Sequence, residues 1–208
     1  MKIYFVRHGQ SELNAHNIHQ PSTVSLSQKG KHQATFVSKR FESISIDALF
    51  SSDFTRAYET AQIICGHINK PVEINILLRE IKRPTEIHGK SIYDKEAVRI
   101  KTLIKNNIHV KDWHYSDEEN IFDLMHRCKE YVQSLTTLQH ENILVVSHGM
   151  AIRMIILCMM FAKEELIIKS FEDFTHFMHT SNTGITICQR NTDNTFQLLT
   201  WNDYTHVA

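Results

Sequence analysis

Residues 2–11, Lys2-Ile3-Tyr4-Phe5-Val6-Arg7-His8-Gly9-Gln10-Ser11, decide how the rest of the chain reads. The run from Lys2 to Val6 is short, β-branched and aromatic, and a cation, an imidazole and a glycine end it abruptly. It predicts a buried strand. Open α/β sheets bind ligands beyond the carboxyl ends of their strands, so Arg7 and His8 arrive where such folds do chemistry. Ile143-Leu144-Val145-Val146-Ser147 repeats the device, ending in His148-Gly149 before an apolar helical pattern from Met150 onward. Of the six glycines, Gly9 and Gly149 each follow a histidine at a predicted strand end. Glycine there permits a sharp turn and close backbone approach to a ligand. The helix N-terminus after His148 is expected to favour a bound anion.

Between these two strand ends the chain alternates. Residues 12–26 read as a loop carrying Asn14, His16, Asn17 and His19. Ser27 reads as the cap of a helix running to about Phe41, with Ala34, Val37 and Phe41 inward. Ile46 to Phe50 is the next strand. Ser51-Ser52-Asp53 is expected to turn the chain and cap a second helix, lined by Ala57, Ala61, Ile64 and Cys65 and ended by Gly66. Val72 to Ile74 is a short third strand. Residues 79–118, with Pro84, Gly89 and a weak helix near 94–105, break the alternation. They read as an insertion near the active face of a single domain, 1–208. A helical stripe of Ile121, Leu124, Met125, Cys128, Val132 and Leu135 follows, then the strand ending at His148 and its helix. A further helix is expected near 163–172, and strands near 184–189 and 196–201 pair as a hairpin. The sum is an α/β fold of three layers, α/β/α, with a mostly parallel sheet and a late antiparallel edge.

Bulk properties narrow the function. A length of 208 residues with 42% hydrophobic content suits one domain with a real core. The 23 basic and 23 acidic side chains cancel, which argues against a nucleic-acid partner. The longest apolar run, Met154 to Ala162, is too short to span a membrane, and Lys2 is followed by only four apolar residues before Arg7, so no signal peptide or membrane association is expected. Four scattered cysteines fit buried thiols and a reducing, cytoplasmic setting. The pairs His16 and His19, and His176 and His179, lack a third ligand, so no metal is expected. Nothing in the chain specifies an oligomeric state.

Arg56 completes the constellation. It sits in the first turn of the second predicted helix, where a cation opposes the helix dipole by some tenths of a kcal/mol. Either it pairs at the surface with Asp53 or Glu59, or it faces an anion shared with the strand ends. Taken with Arg7, His8 and His148, the second reading points to phosphoryl transfer. Two arginines can fork onto phosphate oxygens and neutralise their charge. A neutral imidazole already carries a free lone pair and needs no base to activate it. The intermediate would be a phosphohistidine that water later cleaves, with catalysis resting on positioning and on charge stabilisation at the equatorial oxygens.

At these residues the chain resembles the histidine phosphatase superfamily, the phosphoglycerate mutase-like proteins. Arg7-His8-Gly9-Gln10-Ser11 with Asn14 is similar to that family's signature, and 26–34 to its first-helix segment. Residues 51–61 resemble its second-arginine motif, Val146-Ser147-His148-Gly149 its second-histidine motif, and 181–186 its late strand entry. The resemblance implies that His8 is the nucleophile and that Arg7, Arg56 and His148 surround the phosphate, with Asn14 as a further contact. It also implies an acid after the third strand as proton donor, and Leu78-Arg79-Glu80 matches, so Glu80 is expected in that role. A small phosphorylated substrate and no cofactor are implied.

The chain also departs from the family pattern. Gln10 stands where many members have Glu, and 19–23 lacks a Gly and an Asp that many members carry. After Glu80 the aromatic-Glu-Gly pattern common in the family is missing, which leaves Glu86 as a rival donor. The stretch 81–111 holds eight Lys or Arg and three acids. It reads either as a solvated helix face or, if it folds over the site, as a preference for substrates with extra negative charge. Phosphomonoester hydrolysis is the leading expectation. A phosphoglycerate mutase-type transfer ranks lower, because little sequence follows Trp201 to make a lid. A phospho-ligand binding or regulatory protein with negligible turnover is the third reading.

Overall fold

The computed structural model describes residues 1–207. Strand β1 (Lys2–Arg7) lies inside a six-stranded sheet, parallel to β4 (Asn142–Ser147) and antiparallel to β5 (Ile185–Arg190). On one side, β2 (Ala48–Ser51) pairs with β4 and β3 (Val72–Ile74) with β2, all parallel. On the other, β6 (Phe196–Asp203) pairs antiparallel with β5, giving the order β3-β2-β4-β1-β5-β6. This is the mostly parallel sheet with an antiparallel edge read from the sequence.

Register explains why the two histidines meet. Arg7 lies opposite Ser147, so His8 and His148 leave the sheet side by side. Between their ends β1 and β4 are apolar and buried because both faces are covered. Tyr4, Val6, Leu144 and Val146 pack with Val37 and Phe41 near α2 (Gln28–Lys39) and with Ala57, Ala61 and Ile64 of α3 (Thr55–Ile68). Ile3, Phe5, Ile143 and Val145 pack on the opposite face. Their partners are Leu124 and Met125 of α5 (Ile121–Leu135), Ile152 and Ile155 of α6 (Gly149–Met160) and Phe171 of α7 (Glu164–Phe177). A third, small cluster of Ile87, Ala97 and Ile100 holds α4 (Lys95–Asn106) within the segment that interrupts the alternation.

Some boundaries differ from the sequence reading, each for a local reason. Residues 12–26 include a four-residue helix, α1 (Glu12–Ala15), capped by Ser11 accepting from the Asn14 N–H. Gly66 does not end α3: the helix continues to Ile68, and Asn69 makes the turn at φ 54°. Asparagine tolerates the left-handed region because its short polar side chain bonds locally. Asp53 does not cap α3 either. The Ser52 hydroxyl takes the Phe54 N–H, while the Asp53 carboxylate takes a two-bond fork from Arg79, a stronger charge-assisted pairing than a cap. The helix expected near 163–172 extends to Phe177. Ser27 caps α2 as expected, accepting from the Gly30 N–H.

Candidate active site

The site begins where β1 ends. A Cβ placed on Gly9 would lie 2.5 Å from the Gly30 carbonyl oxygen, and one on Gly30 would lie 2.0 Å from the Gln10 carbonyl oxygen. Only glycine at both positions lets the turn after β1 sit this close to α2. The Gly9 N–H donates to the Thr60 hydroxyl at 3.1 Å, and that hydroxyl donates to the Arg56 carbonyl at 2.7 Å. One threonine thus ties the His8 turn to the first turn of α3.

His8 is 2% exposed, and its ring is oriented by its backbone. Nδ1 lies 2.7 Å from the Gly9 carbonyl oxygen. A carbonyl can only accept, so Nδ1 carries the proton and Nε2 carries the lone pair. The Arg56 Nε–H points at that nitrogen from 3.3 Å. Burial, then Arg56, then Arg7 hold the His8 pKa well below its ordinary 6.5, against the opposing Gly9 bond. His8 is therefore neutral at neutral pH.

Two arginines flank it. Arg56 is 3% exposed and also donates to the Pro21 carbonyl. It does not pair with Asp53, which holds Arg79, or with Glu59, which accepts the Leu26 N–H. Burial pulls Arg56 down to about 10, with Glu80 opposing the shift. Arg7 donates from Nη1 to the Thr180 carbonyl at 2.6 Å, while its Nε is buried without a partner.

His148 packs behind His8, with ring centroids 5.0 Å apart, and is fully buried. Its Nε2 lies 3.0 Å from the Ser52 hydroxyl, and its Nδ1 has no partner. Burial first, then Arg56, His8 and Arg7, hold it neutral as well.

Glu80 answers the expectation of an anion at the helix after His148. Its carboxylate accepts from the N–H groups of Met150 and Ala151 at 3.2 and 3.1 Å, and from the Ile81 N–H at 3.0 Å. The α6 N-terminus is thus occupied by the chain's own acid. Two braces fix that acid. The Ser147 hydroxyl donates to the Leu78 carbonyl, and Arg127, forked onto Glu119, donates to the Leu77 and Arg79 carbonyls. Glu86 does not reach the site; it is exposed and accepts from the Ser116 hydroxyl.

A cleft of about 640 Å³ opens in front of these groups, and Arg7, His8, Asn14, Arg56 and Glu80 all line it. The structure therefore brings together the predicted set, with His148 one layer behind. Sequence reasoning missed Ser52, Thr60, Thr180, Arg127 and Asn182, whose amide donates to the His8 carbonyl at 2.9 Å. Asn182 was visible as part of the late strand entry. The others are ordinary polar residues whose partners lie far away in sequence, and no local signal marks them.

The arrangement can hold an oxyanion between two buried guanidinium groups, facing a neutral imidazole lone pair. The chain is similar in sequence and fold to known proteins. Probable phosphoglycerate mutase GpmB from Enterobacter sp. (strain 638) is 29% identical over 156 residues, 73% of this chain and 71% of the relative. The crystal structure of a putative alpha-ribazole-5'-P phosphatase from Escherichia coli K-12 superposes with a TM-score of 0.82 at 21% identity, over 98% of this chain and 97% of that one. Phosphoserine phosphatase from Entamoeba histolytica in complex with 3-phosphoglyceric acid superposes with a TM-score of 0.79 at 24% identity, over 100% and 99%. The sequence profile of the histidine phosphatase superfamily (branch 1) matches residues 3–204, and with that match the chain belongs to this superfamily.

Proposed function

We propose that the protein hydrolyses phosphomonoesters through a covalent phosphate on His8, without a metal. The observation that most supports this is the state of His8. Its Nδ1–H is committed to the Gly9 carbonyl, and its Nε2 lone pair lies beside Arg56 and near Arg7. In the first step the Nε2 lone pair forms the N–P bond while the ester P–O bond breaks. The leaving oxygen takes a proton from Glu80, the acid that lines the cleft and that enters this step in its protonated form. In the second step Glu80 accepts a proton from water as its oxygen attacks phosphorus, releasing inorganic phosphate and returning His8 to its neutral state. Arg7, Arg56 and His148 stabilise the transferring oxygens, and Asn14 supplies a further contact from the cleft wall.

The name of the Enterobacter relative favours a second reading, in which the phosphoryl group returns to the substrate. Hydrolysis ranks first because Glu80, an acid lining the cleft beside His8, can pass a proton to the leaving oxygen and then take one from water. The test is phosphate release from p-nitrophenyl phosphate and from a panel of metabolite monoesters, with EDTA present. Wild type is expected to release phosphate and His8→Ala to release none. Isomerisation of a phosphoglycerate without net phosphate release would favour the mutase. Tight binding without turnover would favour a phospho-ligand binding protein, and equal activity in both forms would remove His8 as nucleophile.

A further inference from the structure

We propose that the outer wall of the cleft is a second anion subsite, built by Arg83 with His19 and His88, with the exposed Lys101 adding positive charge from outside the lining. The subsite selects phosphomonoesters that carry a further anionic group, a carboxylate or a second phosphate. This deepens the phosphatase reading above and rests on it for the position of the ester phosphate.

Four observations carry the proposal. First, the other cleft arginines are engaged: Arg7 with the Thr180 carbonyl, Arg56 with His8 and the Pro21 carbonyl, Arg79 with Asp53. Arg83 lines the same cleft, yet among the described residues its guanidinium makes no hydrogen bond or ion pair. A planar fork left free in a cleft is suited to a carboxylate or phosphate.

Second, His19 lines the cleft with its Nε2 buried and unpartnered. A buried polar atom in that state costs about 1–3 kcal/mol unless something bonds it.

Third, this wall is zipped rather than loose. The His19 N–H donates to the Lys90 carbonyl, the Gly89 N–H to the His19 carbonyl and the Ile92 N–H to the Asn17 carbonyl, at 2.8–2.9 Å, and Ile18 bridges Ser91. The His19 loop and the 79–118 segment therefore present their basic groups from one surface.

Fourth, those groups repel one another. After burial, Lys101, Arg83 and His88 each push the His19 pKa down, and Arg83 pushes Lys101 down. The acids that act on Arg83 are already bonded elsewhere: Glu80 to backbone at α6, and Glu118 to the Tyr115 and Ser116 N–H groups. A second anion on the ligand would relieve this charge. Arg83, His19 and His88 line the same cleft as Arg7, His8 and Arg56, so an ester bound there meets both clusters.

The test uses two probes that differ only in the second anion, 3-phosphoglycerate and glycerol 3-phosphate. Calorimetric titration of full-length His8→Ala reads binding without turnover. The carboxylate-bearing ester is expected to bind about tenfold tighter or better. Adding Arg83→Gln is expected to remove most of that ratio, and adding the exposed-site change Lys101→Gln to remove part of it, with thermal melts confirming that each variant is folded. Equal affinity for the two esters, binding of neither, or a preference untouched by both substitutions would overturn the subsite. Phosphate release from p-nitrophenyl phosphate by wild type, measured on the same preparation, keeps the two readings apart. Release without the preference sinks the subsite alone, and the preference without release sinks the phosphatase reading alone.

Discussion

At the scale of single residues, the account rests on burying two neutral histidines beside two arginines. Both have pKa values held well below 6.5, by burial first and by Arg56 next. The unfolded chain therefore binds more protons than the folded one below pH 6.5, so the stability these residues contribute is complete above that pH and is lost as pH falls. Each can contribute a slope of up to about 1.4 kcal/mol per pH unit. His114, raised by its bond to Asp123, works in the opposite sense. Urea unfolding between pH 7 and pH 5 should show stability falling in wild type and falling less steeply in His8→Gln. Glu80→Gln separates proton donation from binding: it is expected to slow alkyl phosphate hydrolysis by about 10²–10⁴-fold. In kcat/KM, which reads the phosphorylation step alone, it should slow p-nitrophenyl phosphate much less, because that leaving group needs no proton. Comparable losses of kcat/KM on both esters would remove Glu80 as the acid. Arg7, His8, Arg56 and His148 were legible in sequence because each stands at a strand end or in a first helical turn. Thr60 and Ser52 were not, since a hydroxyl announces nothing until its distant partner is placed.

At the scale of elements, close approach between β1 and α2 sets the His8 turn, and two glycines separate this effect from helix propensity. Gly30 and Gly66 both lie inside helices, where alanine is intrinsically better by about 0.5–1 kcal/mol. A Cβ at Gly66 meets nothing within 4 Å, whereas one at Gly30 meets a backbone oxygen at 2.0 Å. Gly66→Ala should therefore stabilise the protein by about that propensity gain. Gly30→Ala should destabilise it by about 1–3 kcal/mol and lower turnover as well. Chemical denaturation reads both, and a stabilised Gly30→Ala would deny the close approach its role. The helices and strands were readable because their apolar periods are strong. The end of α3 was misplaced because Gly66 is the more frequent signal and Asn69, three residues on, makes the turn instead. The Asp53 cap failed because Arg79, distant in sequence, offers it a stronger partner.

At the scale of the whole molecule, two large clusters clamp the sheet from both faces, while the segment bearing α4 has only its small cluster of Ile87, Ala97 and Ile100. Hydrogen exchange should show α4 amides opening at lower free energy than those of β1 and β4; equal protection would mean that this segment unfolds only with the core. The sequence showed this stretch as a break in the alternation with an excess of basic residues. It could not show that part of that charge faces the cleft, because the backbone bonds to residues 17–19 that aim it are fixed only in the folded chain. The central claim, a covalent phosphate on His8, is tested most directly by rapid quenching into alkali during turnover of p-nitrophenyl phosphate, followed by peptide mass spectrometry. One phosphoryl group, stable to alkali and labile to acid, is expected on the peptide containing His8 in wild type and is absent in His8→Ala. Steady turnover with no phosphoryl group on that peptide, or with the group on another residue, would contradict the account.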